Sequence, residues 1–124
     1  MGNVAADQGV AVYRWLFLFS GPIEAVIINH ALGFEVPPGK ERMAGYGAFE
    51  TMLDVVEQAV TANEYIAGDA FSAADVYCGS QVGWGLQFGT LEKRPAFEAY
   101  WARISDREAY RRAQALDNKL LPDA

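Results

Sequence analysis

The segment from Phe71 to Val76, which reads Phe-Ser-Ala-Ala-Asp-Val, constrains the fold of this chain more than any other feature. Ser72 is a favourable N-cap, because its hydroxyl can accept a hydrogen bond from the backbone N–H of Asp75. The carboxylate of Asp75 can accept in return from the N–H of Ser72, which predicts a capping box. Phe71 before the cap and Val76 after it can pack together as a hydrophobic staple. The segment therefore predicts that a helix begins at this point.

Apolar residues in the rest of the chain also recur with a helical period. A long element over 4–32, interrupted near Gly21, is predicted at the start, with Ser20 as the N-cap of its second part. A second helix is predicted over about 40–62, with a beginning that Gly45 and Gly47 loosen, and it carries the clearest apolar stripe: Phe49, Met52, Leu53, Val56 and Val60. Three more helices are predicted from just after Phe71 to about Phe88, over 95–105 and over 107–117. No segment alternates with period two for long enough to predict a strand. We expect an all-α fold, a single domain over 1–124 that forms one bundle of about five helices.

Composition and charge exclude several classes of function. The 124 residues include 10 Lys and Arg against 16 Asp and Glu, a net charge of −6, which argues against nucleic-acid binding. One cysteine, Cys78, and one histidine, His30, leave a thiolate or imidazole metal site short of ligands. The longest uninterrupted apolar run, residues 15–19, is shorter than the ~20 residues of a spanning helix. We expect no metal, no membrane span and a cytoplasmic location.

A longer stretch around the predicted cap resembles a known family. Residues 65–76 read Tyr-Ile-Ala-Gly-Asp-Ala-Phe-Ser-Ala-Ala-Asp-Val, which is similar to the capping segment of the C-terminal domain of glutathione transferases. The resemblance extends to Trp84, to the run Arg-Pro-Ala-Phe at 94–97 and to the run Arg-Glu-Ala-Tyr at 107–110. The runs at 13–16 and 21–24 are similar to the first helix of bacterial members. The resemblance covers nearly the whole chain and implies a right-handed bundle of about five helices.

The resemblance also implies what a complete member of the family contains. Its N-terminal domain is thioredoxin-like, carries the residue that activates glutathione and makes most of the contacts with glutathione. No βαβ pattern precedes residue 4 of this chain, so we expect the chain to correspond to the C-terminal domain alone. We therefore expect no catalytic residue and no bound cofactor in this domain. Glutathione is the expected co-substrate of the complete protein, and the thioredoxin-like domain is an expected partner.

The first helix carries the candidate binding residues. Tyr13 and Phe17 are four residues apart and share one helix face. In complete transferases this helix, by resemblance, faces the cleft between the domains and helps to bind the hydrophobic co-substrate. A polar-tipped tyrosine beside a phenylalanine suits a partly hydrated pocket for small aromatic electrophiles, and the alternative is that both residues belong to the core. Arg14 adjoins this face, where it contacts a thiolate or carboxylate of a ligand or forms a surface ion pair.

Other residues with reactive or charged side chains are expected to be structural. Residues 78–81 lack the G-x-S-x-G nucleophile motif, so we expect Ser80 to be a packing residue and Cys78 a buried thiol.

Two G-x-x-x-G spacings should allow a neighbouring helix to approach closely; they consist of Gly79, Gly83, Gly85 and Gly89. We expect the acidic side chains to be scattered over exposed, solvated faces; they are Glu35, Glu41, Glu50, Asp54 and Glu57.

In the last helix Tyr110 and Ala113 should point inward. The basic residues Arg103, Arg107, Arg111 and Arg112 should point outward.

These observations favour one function and leave two alternatives. The first is the C-terminal helical domain of a glutathione transferase-like protein, which contributes the hydrophobic co-substrate site for conjugation of glutathione to electrophiles. One alternative is a non-catalytic interaction or scaffolding module of transferase-like fold, and the other is a small stand-alone helical protein that binds an apolar metabolite. If an N-terminal domain is missing, the surface that it normally covers would be apolar, and such surfaces mark interaction sites. We therefore also expect a homo-oligomer.

Overall fold

The computed structural model describes residues 3–122, with side chains from residue 9 onward. Its α-helices are α1 (Asn3–Leu18), α2 (Glu24–Ala31), α3 (Phe49–Ala62), α4 (Ala73–Phe88), α5 (Pro95–Ser105) and α6 (Glu108–Asn118). A π-helical turn, Phe19–Ile23, joins α1 to α2 without a break, so these two form one long helix. Within residues 3–122 there is no strand, only an isolated bridge between Tyr65 and Gly68. The prediction of an all-α bundle of about five helices is confirmed.

The π-helical turn falls where the interruption was predicted. Pro22 has no backbone N–H to donate to the preceding turn, and the wider turn accommodates this missing hydrogen bond. The prediction that Ser20 caps a second helix is wrong. Its hydroxyl donates to the carbonyl oxygen of Phe17 at 3.3 Å, and the backbone stays helical on both sides of the turn.

Helix α3 begins later than the start near residue 40 that the sequence predicted. The region from residue 40 contains only a short 3-10 turn, Glu41–Met43, before α3 starts at Phe49. Gly45 and Gly47 have φ angles of 76° and 71°, in the left-handed region that an α-helix does not use. The predicted start near residue 40 is therefore wrong. The rest of the stripe is confirmed, since Leu53, Val56 and Val60 are buried; Phe49 and Met52 are partly buried against the core.

Glycines let α4 lie close to its neighbours. A Cβ atom at Gly83 would lie 2.5 to 2.7 Å from the ring of Trp101, and one at Gly79 would overlap the side chain of Ile104. The first of the two predicted spacings therefore does permit close approach of α5. The second does not, because Gly85 faces Leu91, and Gly89 ends the helix with a φ of 74°.

The core surrounds α4, which packs against both α1 and α5. Its buried apolar members are Trp15, Phe19, Ile23, Leu53, Val56, Val60, Ile66, Ala74, Cys78, Val82, Leu91, Phe97, Tyr100 and Ile104. Helix α6 lies outside this core and has no buried residue. Tyr110 is half-buried, with its ring edge-on to Trp101 at 5.3 Å between centroids, whereas Ala113 is exposed. The prediction that Ala113 points inward is therefore wrong.

The basic residues near α5 and α6 make specific contacts. The guanidinium of Arg103 donates to the carbonyl oxygens of Glu64 and Val60 at 3.1 and 3.3 Å, which joins α5 to the end of α3. The guanidinium carbon of Arg107 lies 3.3 Å from the centroid of the Phe71 ring. These two residues thus hold elements together, and the expectation that they simply point outward is wrong.

The long first helix has an unusual surface. Its stretch Gly9–Ala31 has 23 residues and contains an 18-residue window with a mean hydropathy of 1.4, so by length and composition alone it could cross a membrane. The search for an uninterrupted apolar run found only residues 15–19 and missed this longer stretch, because Ser20 and Gly21 end that run. Trp15, Phe19 and Ile23 of this stretch are buried in the bundle. Only 22% of that 18-residue window is buried, however, and several large apolar side chains of the stretch are exposed, namely Val10, Tyr13, Phe17 and Ile28.

Candidate functional site

Asp75 stands at the centre of a buried polar network at the start of α4. Its Oδ2 accepts from the backbone N–H of Ser72 at 2.9 Å, and Ser72 Oγ accepts from the N–H of Ala74 at 3.3 Å. The Ser72 side chain also accepts from the backbone N–H of Asp75, and this bond and the reciprocal bond from the Ser72 N–H form a capping box. The carboxylate lies at the positive end of the helix dipole. The side chain is 1% exposed. The network therefore fixes where α4 begins.

The other carboxylate oxygen of Asp75 contacts two further segments. Oδ1 accepts from the backbone N–H of Ile66 at 2.9 Å and from the hydroxyl of Tyr100 at 2.7 Å. Burial, followed by the charge of Asp75 and this hydrogen bond, raises the pKa of the Tyr100 phenol. The phenol therefore stays protonated, and its hydroxyl can donate the hydrogen bond to Asp75. Sequence reasoning identified the cap but missed Tyr100, which lies on another helix.

The predicted hydrophobic staple contributes little. Val76 is 59% exposed and is not part of the core. The ring of Phe71 is instead edge-on to Tyr65, with 5.7 Å between centroids, and its face is covered by Arg107. Phe71 therefore packs against the preceding loop and the start of α6, and the predicted pairing with Val76 is replaced by these contacts.

Arg94, just before α5, gathers four carboxylates. Its guanidinium lies 2.7 Å from Asp54, 2.7 Å from Glu57, 2.9 Å from Glu50 and 3.2 Å from Glu92. Hydrogen bonding from Asp54 is the largest cause that raises the pKa of Arg94, so it remains a cation. The three carboxylates of α3 are 38–70% exposed, as expected for a solvated surface, but they converge on one cation instead of being dispersed. The helical spacing of these three carboxylates was visible in the sequence, but no sequence pattern indicated that Arg94 is their partner.

The outer side of α1 carries an exposed apolar stripe. Tyr13 is 67% exposed and Phe17 is 73% exposed, so the alternative that they belong to the core is wrong. Val10 is also exposed and lies seven residues before Phe17, on the same helix face. An aromatic pair held this openly on a rigid helix can contact a ligand or a partner without any rearrangement of the bundle.

A second exposed stripe lies on α4. Trp84 and Phe88 follow Tyr77 by seven and eleven residues, which places all three on one face of the helix. The side chains of Trp84 and Phe88 are 62% and 71% exposed. The Tyr77 hydroxyl lies 3.4 Å from a carboxylate oxygen of Glu24, at the start of α2. Because this exposed hydrogen bond crosses from α4 to the long first helix, both stripes border the same outer surface. We call Val10, Tyr13, Phe17, Tyr77, Trp84 and Phe88 the apolar face.

Arg14 lies apart from the apolar face. It lines a cavity of about 310 Å³ between α1 and the end of α3, together with Gln58 and Asn63. Its guanidinium carbon lies 5.1 Å from the centroid of the Trp15 ring. The structure therefore brings Tyr13 and Phe17 together but directs Arg14 to a different site.

The nucleophile and metal candidates are structural. Cys78 is buried, its Sγ lies 3.7 Å from the carbonyl oxygen of Trp15, and burial raises the pKa of its thiol to about 12. Such a thiol is a poor nucleophile. The Ser80 hydroxyl donates to the carbonyl oxygen of Val76 within α4. Within the part of the chain that the structure describes, no three His, Cys, Asp or Glu residues form a group able to hold a metal ion.

Comparison with known families agrees with this architecture. The model of the glutathione S-transferase C-terminal domain matches residues 14–108, well over half of the chain. This range begins within α1, one residue after Tyr13, and runs through Phe17 and the Asp75 network to the first residue of α6. The searches of curated proteins and of solved structures found no significant match. On the family match, the chain belongs to the family of glutathione S-transferase C-terminal domains.

Proposed function

We propose that this domain supplies the apolar co-substrate wall of a glutathione transferase-like enzyme. The observation that carries the proposal is the exposure of Tyr13 and Phe17 on a helix that the core holds rigidly. Flat aromatic rings on this wall would stack on a small aromatic electrophile, and the hydroxyl of Tyr13 would remain hydrated at the edge. The wall orients the electrophile and excludes water from it, without chemistry of its own.

The proposal places thiol activation in a partner domain. Two weakly acidic groups in and beside α4, the thiol of Cys78 and the phenol of Tyr100, are buried and have raised pKa values. Neither suits the role of a base or nucleophile at neutral pH. Glutathione is therefore proposed as the co-substrate of the complete protein, bound and activated by a thioredoxin-like domain. That domain would dock on the part of the apolar face that α4 provides.

The apolar face also supports the alternative of an interaction module. Exposed apolar patches on a domain surface mark protein contacts, and Trp84 and Phe88 form such a patch. Two copies of the chain can cover these patches mutually, so we propose self-association when no other domain covers them. Size-exclusion chromatography with light scattering tests this, and a monomer at high concentration would contradict it. A reducing cytoplasm, where glutathione is abundant, is the proposed location.

Calorimetric titration of the chain with two ligands tests the proposed function. The first ligand is 1,3-dinitrobenzene, an apolar nitroaromatic without a leaving group, and the second is glutathione. We expect saturable binding of dinitrobenzene and no measurable binding of glutathione. Stoichiometric glutathione binding by this chain would contradict the division of roles between the two domains.

A pair of variants assigns the dinitrobenzene site. Phe17→Ser removes an aromatic ring from the apolar face and should weaken binding by about tenfold, equivalent to roughly 1.4 kcal/mol. Leu116→Ser makes a similar change of polarity at an exposed residue of α6 and should leave the affinity unchanged. Equal affinities of the two variants would show that the apolar face does not bind the ligand.

A further inference from the structure

A cavity far along the chain from Tyr13 and Phe17 has the dimensions of a ligand site. It has a volume of about 310 Å³ and lies between α2, the connector at 34–36 and the start of α3. A neighbouring cavity of about 450 Å³ shares Phe34, Glu35, Val36 and Tyr46 with it. Small-molecule sites in proteins usually occupy about 300–1,000 Å³. The region is therefore large enough to hold a small organic molecule.

Aromatic rings form much of its wall. The imidazole of His30 stacks on the ring of Phe49, with centroids 3.8 Å apart and planes 8° from parallel. The hydroxyl of Tyr46 accepts a hydrogen bond from the Asn29 side chain at 3.1 Å, which fixes its ring at the shared edge of the two cavities. The ring of Phe34 is exposed beside them. The uncovered faces of phenyl and phenol rings carry negative electrostatic potential, which attracts cations.

Carboxylates predominate among the ionisable groups of the first cavity. Glu35, Glu41 and Glu50 line it together with His30, and none of the described residues that line it is a lysine or arginine. Glu50 is paired with Arg94, which leaves Glu35 and Glu41 as uncompensated carboxylates. Hydrogen bonds from the backbone N–H groups of Glu41 and Gly39 hold the pKa of Glu41 below its ordinary value. Lys40 lines the neighbouring cavity instead.

From this combination we infer that the cavity binds a small organic cation, an ammonium group on an aromatic or apolar body. The apolar body would pack on Phe34 and Phe49, and the ammonium group would lie between the ring faces and the carboxylates of Glu35 and Glu41. An anion would be repelled by the carboxylates, and a neutral molecule would gain nothing from them. None of the residues of this cavity belongs to the apolar face, so the inference is independent of the proposed function.

The test uses phenethylamine as the probe and 2-phenylethanol as its neutral counterpart. Backbone amide shifts of the 124-residue chain are recorded by NMR during titration with each compound. We expect phenethylamine to shift the amides of residues 34–36 and 46–50 in a saturable manner. The neutral counterpart should bind about fivefold more weakly, the change expected for loss of a partly screened charge contact.

Paired variants identify the charges that matter. The double variant Glu35→Gln with Glu41→Gln should weaken phenethylamine binding by about fivefold. The double variant Glu64→Gln with Glu98→Gln removes the same charge from exposed positions outside the cavity and should bind as the parent chain does. Thermal melts verify that both variants are folded. Equal binding of amine and alcohol, shifts confined to other residues, or an unaffected cavity variant would each overturn the inference.

Discussion

The hydroxyl of Tyr100 on α5 donates a 2.7 Å hydrogen bond to Oδ1 of Asp75 on α4. The same oxygen accepts from the N–H of Ile66, and the second carboxylate oxygen caps α4 through Ser72. One side chain thus joins the loop before α4, the start of α4 and the middle of α5. The position of the apolar face depends on this junction, because α4 carries half of that face.

Replacement of Asp75 by alanine should strongly destabilise the domain. It removes the cap and leaves the Tyr100 hydroxyl and two backbone N–H groups without their acceptor, in a site that is 1% exposed. We expect a loss of about 3–5 kcal/mol in the free energy of unfolding. Urea unfolding of Asp75→Ala measures it, with Asp117→Ala, an exposed residue of α6, as the control. A loss below about 1 kcal/mol would mean that the network is dispensable.

Stability should fall at alkaline pH because two buried acids have raised pKa values. In the unfolded chain the thiol titrates near about 8.5 and the phenol near about 10, whereas in the folded chain the pKa of Cys78 is about 12 and that of Tyr100 is also raised. The unfolded state therefore binds fewer protons above about pH 8.5, so stability is complete below this pH and decreases as pH rises towards 12.

The variant Cys78→Ala isolates the thiol in this pH dependence. Between pH 9 and 10 the parent chain should lose stability at up to about 1.4 kcal/mol per pH unit more than the variant does. Urea unfolding at pH 7, 9 and 10 gives both slopes. Parallel slopes for the two chains would contradict the burial of a protonated thiol.

Alanine at Gly83 and at Gly9 should have opposite effects. The new methyl at Gly83 would lie 2.5 Å from the rigid indole of Trp101, while nothing lies within 4 Å of the same atom at Gly9. We expect Gly83→Ala to destabilise the chain by about 1–3 kcal/mol and Gly9→Ala to stabilise it by about 0.5–1 kcal/mol. Thermal melts distinguish the two, and a neutral Gly83→Ala would show that α5 does not need this close approach.

Loss of Arg94 should destabilise the contact between α3 and the loop before α5. Its four carboxylate partners are 38–70% exposed, so solvent screens each pair and we expect Arg94→Gln to lose about 1–2 kcal/mol in total. Arg111→Gln, which breaks one exposed pair with Asp106, is the control and should change stability by less than about 0.5 kcal/mol. The effect at Arg94 should shrink in 1 M salt, at a Debye length of about 3 Å. An effect that is insensitive to salt would rule out an electrostatic origin.

Local signals predicted the helices, but contacts between distant residues could not be predicted. The capping motif and Pro95 placed the starts of α4 and α5 closely, because a cap depends on residues within one turn. The start of α3 was placed too early, near residue 40, because the sequence alone does not show that Gly45 and Gly47 adopt the positive φ angles that break the helix.

The candidate site was predictable only in part, for a similar reason. Tyr13 and Phe17 share a face by spacing alone, yet spacing cannot tell whether that face is covered by the rest of the bundle. Tyr100 lies 25 residues from its partner Asp75, and the three carboxylates of α3 lie 37 to 44 residues from Arg94. No local pattern encodes such pairings. The resemblance supplied the role of the first helix, whereas the packing of α1 on α4 decided which of its faces remained open.

The central claim is that the apolar face receives the hydrophobic ligand. An NMR titration of the chain with 1,3-dinitrobenzene tests it most directly, because backbone amides report along the whole of α1 and α4. The account predicts saturable shifts concentrated at residues 10–17 and 77–88, which disappear in a Tyr13→Ser and Phe17→Ser double variant with an unchanged melting temperature. Shifts confined to other helices, or unchanged shifts in the double variant, would contradict it.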